Sequence, residues 1–419
     1  MDGFNFYDAK LKKELDHMAK ENKAQVVMIA AITALCILGD SMLYVVLPTH
    51  WQEAGLTSLW EVGALLSINR FIRVPLNPIV SRLYRKLSHR KGIILAILLS
   101  AMATASYGIS GFWFLLLMRA IWGIAWTFLR LGAYFFILDI SADENRGHYM
   151  GIYNGIFRLG SLVGMLAGGI IADIFGMKAV SFIFAGITLS ALFLVYYSVY
   201  PSAGPTTPLA TAAPPATYPL KLTNVWKDSQ IIWMLLTGFL VTMLYQGAFT
   251  STLSHLIELR QTQQMAAHVM IASASLAGII QAIRWGWEPW LAPWFGRKSD
   301  HWGRRPVLII ALLAASVLFA LINTGVPFWI WIAIIFGVQL TATVLTTVVD
   351  AVAGDVASQT TVKTSIMTAY SIVTDLGSAV GAVSVYLIAS AINIKVYYWG
   401  AALLLLLLAF KWATALRKA

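Results

Sequence analysis

Twelve apolar runs, each about the length needed to cross a lipid bilayer, leave this chain few other ways to fold. A spanning helix takes ~20 largely apolar residues. Runs of that kind fall near residues 25–48, 60–83, 92–110, 112–139, 148–174 and 177–200, and again near 229–255, 265–296, 306–324, 327–352, 361–390 and 393–415. Between the two sets, residues 201–228 carry Pro201, Pro205, Pro208, Pro214, Pro215 and Pro219. That density of proline suits a linker and not a helix in lipid. The expected organisation is a tail at 1–24, a six-helix bundle at 25–200, the linker at 201–228, a second six-helix bundle at 229–415 and a short tail at 416–419. Composition agrees: only 12% of the 419 residues are charged, about half of what a water-soluble surface requires.

The formal charge of +11 has two readings, a nucleic-acid surface or a cytoplasmic loop bias. The distribution favours the second. With the N-terminus inside, the cytoplasmic segments hold about 20 of the Lys and Arg residues and the opposite side about three, Lys178, Arg260 and Lys395. Both termini are therefore expected in the cytoplasm of a multi-pass cell-membrane protein, of the bacterial inner-membrane type, with no nucleic-acid partner. Lys10, Lys12, Lys13, Lys20 and Lys23 precede the first apolar run, so that run is expected to be retained and not cleaved as a signal. Leu11, Leu15 and Met18 recur at helical spacing; the tail reads either as a short amphipathic helix on the membrane surface or as a solvated segment. Cys36 is the only cysteine, which rules out an intramolecular disulfide and a thiolate metal cluster.

The two halves repeat. Pro78-Ile-Val-Ser-Arg82 matches Pro293-Trp-Phe-Gly-Arg297, Arg158-Leu-Gly-Ser-Leu-Val-Gly164 matches Asp375-Leu-Gly-Ser-Ala-Val-Gly381, and Ser41-Met-Leu-Tyr44 matches Thr242-Met-Leu-Tyr245. Repeats of equal topology are related by an axis along the membrane normal, and solute sites of such folds lie between the halves near the midplane.

Between the eighth and ninth runs stands Gly296-Arg-Lys-Ser-Asp300-His-Trp-Gly303-Arg304-Arg305. It resembles the loop signature of the major facilitator superfamily. Leu116-x-x-Arg119-x-x-x-Gly123 is similar to the family's span-four arginine motif. Gly160-x-x-x-Gly164-Met-x-x-Gly168-Gly169 looks like the antiporter motif of drug–proton exchangers, with Met165 in place of its proline. The resemblance runs over nearly the whole chain and is nearest to a drug or metabolite exporter-like branch. It implies an all-α membrane fold of twelve helices in two pseudo-symmetric bundles that moves a solute by alternating access. Gly296 and Gly303 are expected to form a tight turn, with Asp300 at a helix N-terminus pairing with Arg304 and Arg305 nearby as a gating latch. The first-half copy departs from the pattern, with Ser81, Arg85 and Ser88 at the key positions. Gly160, Gly164, Gly168 and Gly169 read as close-packing positions, whether or not they also mark an antiporter.

A charge inside lipid costs about 3 kcal/mol or more, so each one needs a reason. Arg70, Arg73, Arg119, Arg130, Arg158, Arg284 and Lys411 fall inside runs, against Asp40, Asp350 and Asp375. The surplus points to an anionic or zwitterionic solute of siderophore or organic-acid type held by arginine forks. The expected solute site comprises Arg70, Arg73, Asn69, Arg158, Asp375, Arg119, Tyr44 and Gln246; Arg119 and Arg130 have an equally good structural reading. The resemblance makes Asp40 the proton-responsive acid, with protons as coupling ion. Asp139 and Asp350 stand at matching cytoplasmic helix ends, where they either pair with loop arginines, including Arg90 and Arg304, as gate elements or cap their helices. Pro289 and Pro293, with Gly286, are expected to interrupt the eighth run beside Trp285, Trp287, Trp290, Trp294 and Glu288.

No nucleotide-binding loop, metal-ligand spacing or catalytic cluster stands out. The expectation is a monomeric secondary transporter with no cofactor or metal, neither an enzyme nor an ATP-driven pump. An importer of an organic anion and a non-transporting receptor or assembly factor on the same fold remain the alternatives.

Overall fold

The computed structural model describes residues 2–84, 86–141, 143–198, 228–264, 272–358 and 363–415, and among them it is helical with no strand. The proposed linker as far as residue 227, Arg85 and the final tail lie outside those residues. The helices are α1 (Asp2–Val46), α2 (Leu59–Tyr84), α3 (His89–Ser106) and α4 (Phe112–Ile140). A long helix, Asp143–Ser198, has non-helical backbone at Gly176 (φ 80°, ψ 165°); its limbs before and after that glycine are α5 and α6. Next comes α7, which runs as Ser229–Thr242, a π-helical segment Met243–Phe249, and Thr250–Gln264. The remainder are α8 (Ser273–Trp302), α9 (Arg304–Leu321), α10 (Phe328–Ser358), α11 (Lys363–Ala391) and α12 (Ile394–Ala415).

Among the described residues, eight helical segments qualify as membrane spans on length and apolar composition alone. One of them, His148–Tyr196, is 49 residues long, roughly 70 Å at 1.5 Å per residue and more than twice the hydrocarbon thickness. It must therefore turn, and it does so at Gly176, whose positive φ is unstrained only for glycine. The neighbours prove the reversal: Gly160 on α5 faces Ala34, while Thr188 on α6 donates to the Leu35 carbonyl at 3.2 Å. Glu53 caps the start of α6 by accepting from the Met177 amide at 3.2 Å. The crossings α2, α3 and α8 fall short on composition because they carry the charges: Arg70, Arg73 and Arg82; His89, Arg90 and Lys91; Arg284, Glu288, Arg297, Lys298 and Asp300.

The tail itself is helical, and α1 continues from Asp2 to Val46 without a break. One expectation fails at this level. Pro289 and Pro293 do not interrupt α8, which passes through both. In a membrane helix the backbone groups freed by proline find other partners, so proline is tolerated there.

Each half is cross-linked by hydrogen bonds between its own helices. In the first, Tyr84 donates to the Phe128 carbonyl at 2.8 Å. In the second, Tyr398 and Thr252 bond at 2.6 Å, and Trp412 donates to Thr237 at 3.0 Å. The halves meet on the side away from the termini. There Ser67 on α2 donates to the Ala379 carbonyl of α11 at 2.7 Å, and the Ser275 amide and hydroxyl of α8 donate to Asp173 at the end of α5 at 2.6 and 2.5 Å. His50 adds a contact to Asp173 at 3.8 Å. Toward the terminus-bearing side, side chains added at Gly151, Gly155 or Gly286 would meet open space, and Trp290 is 79% exposed. The halves are thus joined on the far side by hydrogen bonds between α2 and α11 and between α5 and α8.

Candidate functional site

Three helices of the first half converge on Asp40. Gly123 lets α4 lie directly on α2, since a Cβ there would sit 2.6 Å from the Asn69 carbonyl oxygen. One turn along α4, Arg119 is buried at 1% exposure. Its Nε donates to the Leu65 carbonyl at 3.0 Å, and its Nη1 donates to Asp40 at 2.5 Å and to the Tyr107 hydroxyl at 3.2 Å. Asn69 donates to the same Asp40 oxygen at 3.2 Å. Arg119 therefore clasps α1, α2 and the end of α3 from within, and Asp40 is its counter-ion and not that of Arg70 or Arg73.

Those two arginines lie one turn apart on α2, half-buried. Each lies over a ring, Arg70 over Tyr44 at 5.5 Å and Arg73 over Trp126 at 5.3 Å. Arg70 Nη1 and Arg73 Nε are buried without a hydrogen-bond acceptor. Arg73 lies in the electrostatic field of both Asp40 and Asp375, so the pair is at the seam and not against acyl chains. Arg130 donates to Tyr134 at 3.3 Å and also feels Asp375 across the seam.

In the second half, the π-helical turn of α7 carries Tyr245 into the core, where it bonds to Thr341 at 2.8 Å, and leaves Gln246 exposed. π-turns inside α-helices occur frequently at functional sites. An open cavity of about 170 Å³ is lined by Thr242, Gln246, Thr346, Asp350, Tyr370 and Asp375, among others. Asp350 accepts from the Tyr370 hydroxyl at 2.6 Å. Arg158 does not meet Asp375: it reaches across the seam from α5 to Glu288 on α8 at 2.9 Å. Among the described residues, no group of three His, Cys, Asp or Glu side chains is placed to hold a metal.

The glycine motif of α5 divides its work. Added Cβ atoms at Gly160 and Gly164 would lie 2.3 and 2.6 Å from the Ala34 and Leu38 carbonyl oxygens, and one at Gly168 would lie 2.5 Å from Met42 Cβ, all on α1. Gly169 faces the other way, onto the Ala274 carbonyl of α8 at 2.5 Å, and Gly278 of α8 returns the contact onto Met165. Three glycines build the first half, and the fourth closes it on the second.

The loop signature is arranged differently from expectation. Gly296 lies inside α8; only Gly303, at φ 87°, makes the turn. Asp300 sits near the C-terminal end of α8, not at a helix N-terminus. It pairs with Arg304 at 3.2 Å, and Arg304 also pairs with Asp355 at 2.9 Å. These bonds tie α8, α9 and α10 within one half and do not latch the halves together here. Arg305 follows in the first turn of α9. Asp139 pairs with His89 at 2.9 Å and not with Arg90, which lies over the Tyr196 ring at 5.6 Å. Asp350 likewise takes Tyr370 in place of Arg304.

Glu288 belongs among the charges at the seam, where the sequence count omitted it. Lys411 leaves that count: it is exposed, with its ammonium 4.6 Å from the Trp233 ring. Six arginines then face four acids. The signal for Glu288 was present as an acid inside an apolar run. Nothing in the spacing announced the far-side cluster of His50, Glu53, Asp173 and Ser275, because those residues come from three separate loops and helix ends.

The family model of the Major Facilitator Superfamily matches residues 29–287 and 290–418. A multidrug resistance protein MdtG of Proteus mirabilis is 24% identical over 65% of this chain and 66% of its own length. A class H tetracycline resistance protein of Pasteurella multocida is 32% identical over 41% of this chain and 42% of its own. The chain thus spans about two thirds or less of these relatives' lengths. The nucleoside transporter NupG superposes with a TM-score of 0.74 at 13% identity, covering 94% of this chain and 98% of that one. A bacterial homologue of the human lysosomal transporter Spinster superposes with a TM-score of 0.69 at 15% identity, over 94% and 96%. By sequence over nearly its full length, and by a fold of two six-helix bundles joined to each other on one side, the chain belongs to the Major Facilitator Superfamily of membrane transporters.

Proposed function

We propose that this chain exports a small anionic or zwitterionic solute by alternating access, driven by proton entry. One observation carries the reading: Arg70 and Arg73 hold buried guanidinium nitrogens without acceptors at the seam, and Arg73 lies within the field of an acid on the opposite half. A guanidinium taken out of water needs an anion, and a solute carboxylate or phosphate supplies one with matching fork geometry. Asp375 and the cavity beside it accommodate a cationic end if the solute is zwitterionic. The resistance proteins among the relatives favour efflux as the direction. With the termini in the cytoplasm, a conformation joined on the far side is inward-facing and ready to load.

In this account Asp40 couples transport to protons by trading its bond to Arg119 for a proton as the halves rock. The variant Asp40→Asn keeps an oxygen that accepts from Arg119 but carries no titratable group. Anions that stabilise the purified protein in a thermal-shift screen serve as solutes for flux in proteoliposomes. The expected outcome is loss of pH-gradient-driven flux with binding affinity kept within about threefold, since uniform binding is separable from coupling. Unchanged coupling in Asp40→Asn removes Asp40 from the mechanism.

A further inference from the structure

Where α5 meets α8 across the seam, the side chains of Arg158, Arg284, Trp285 and Glu288 form a second charged cluster. Two guanidinium groups lie over the Trp285 ring, Arg158 at 5.7 Å and Arg284 at 5.5 Å from its centroid. Arg284 is 4% exposed, and its Nε has no acceptor; neither has the buried Trp285 Nε1. Glu288, one turn beyond Arg284 on α8, spends one oxygen on Arg158 at 2.9 Å, and its other oxygen is buried and unpaired. The remaining groups whose charge or dipole bears on the cluster are Asp350 on α10, in the field of Arg158 and Glu288, and Tyr245 on α7, beside Arg284. Asp350 is exposed at the cavity and already takes the Tyr370 hydroxyl.

Donors without acceptors inside a membrane protein are costly. Here they flank a carboxylate with one idle oxygen. We propose that this cluster is an oxyanion subsite for a carboxylate, with Glu288 as its built-in occupant: a solute carboxylate displaces Glu288 from Arg158 and draws in Arg284 Nε and Trp285 Nε1. Arg158 is the group that makes exchange feasible, since its side chain is 49% exposed. Glu288, released, is the group that takes Arg158 back when the solute leaves. The subsite rests on the anion-carrier reading above and deepens it, by assigning the carboxylate to the contact between α5 and α8.

The test is equilibrium binding of benzoate to the purified full chain in detergent, with neutral benzamide as control. Benzoate is expected to bind and benzamide not. Glu288→Gln, which removes the competing carboxylate, is expected to tighten benzoate binding at least fivefold. Arg284→Gln is expected to weaken it at least tenfold. Arg284→Lys, which keeps the charge and so guards against misfolding, is expected to weaken it less, having lost the fork. Weaker binding in a folded Glu288→Gln overturns the proposal. Benzoate affinity unchanged in Arg284→Gln but lost in Arg73→Gln overturns this subsite and leaves the first-half arginines as the anion site. Failure of the unmodified chain to bind benzoate, with other carboxylates captured through Arg73, has the same meaning; failure to bind any carboxylate overturns both readings.

Discussion

Replacing Arg119 with glutamine is expected to cost about 3–5 kcal/mol of stability, the range for stripping one partner from a buried ion pair. The loss is large because three obligations end on this one guanidinium: the Asp40 carboxylate, the Leu65 carbonyl and the Tyr107 hydroxyl. Asp40 is 7% exposed and would retain only Asn69 as a donor. An uncompensated carboxylate at that depth is the costly product, so the damage is electrostatic more than steric. It follows that Asp40→Asn in the Arg119→Gln background should recover much of the loss, because the orphaned charge is then gone. Thermal unfolding of the detergent-solubilised single and double variants measures both effects. Equal destabilisation by the two variants, with no recovery in the double, would show that Arg119 acts through packing alone.

The second large effect is conformational. Gly169→Val is expected to leave the first half intact yet deplete the far-side-closed state. An added side chain at Gly169 meets the Ala274 carbonyl of the other half at 2.5 Å, a backbone atom that yields only if α5 and α8 separate. Overpacking of this kind costs about 1–3 kcal/mol, and here the cost falls on one conformation, which shifts its population about 5–150-fold. Gly160→Val makes the contrast. Its clash is with α1 of its own half, so it should lower the melting temperature without favouring either conformation. Spin-label distances across the far side separate the two: Gly169→Val widens that distribution, Gly160→Val does not. A far-side distance unaltered by Gly169→Val would mean that α5 and α8 are not a moving contact.

Much of this was legible in the sequence because membrane folding has few solutions. Apolar length, the proline-rich break and the repeated motifs lead to two six-helix bundles, and the glycine spacing on α5 marks a surface of close approach. Partners were less legible. The repeat set Arg158 and Asp375 at matching positions and both entered the expected solute site, but matching depth does not fix azimuth, and Arg158 pairs with Glu288. Asp139 and Asp350 were matched to arginines by proximity in the loops, whereas a histidine and a tyrosine take them. The loop signature implied a helix N-terminus at Asp300; α8 runs on past both prolines to Trp302, which leaves Asp300 at its end. The π-turn at Met243–Phe249 gives no periodic signal at all, since seven residues are too few to register a changed period.

The central claim is that the halves rock about the charged seam, opening one side as the other closes. Double electron–electron resonance tests it most directly, on a Cys36→Ser background with two label pairs. Leu83→Cys with Trp302→Cys reports the terminus-bearing side, and Trp113→Cys with Trp329→Cys reports the far side; all four native residues are exposed. As pH is lowered and a bound carboxylate is added, the account predicts opposite shifts, one pair lengthening as the other shortens. Distances that stay fixed in both pairs, or that move in the same direction, would contradict it.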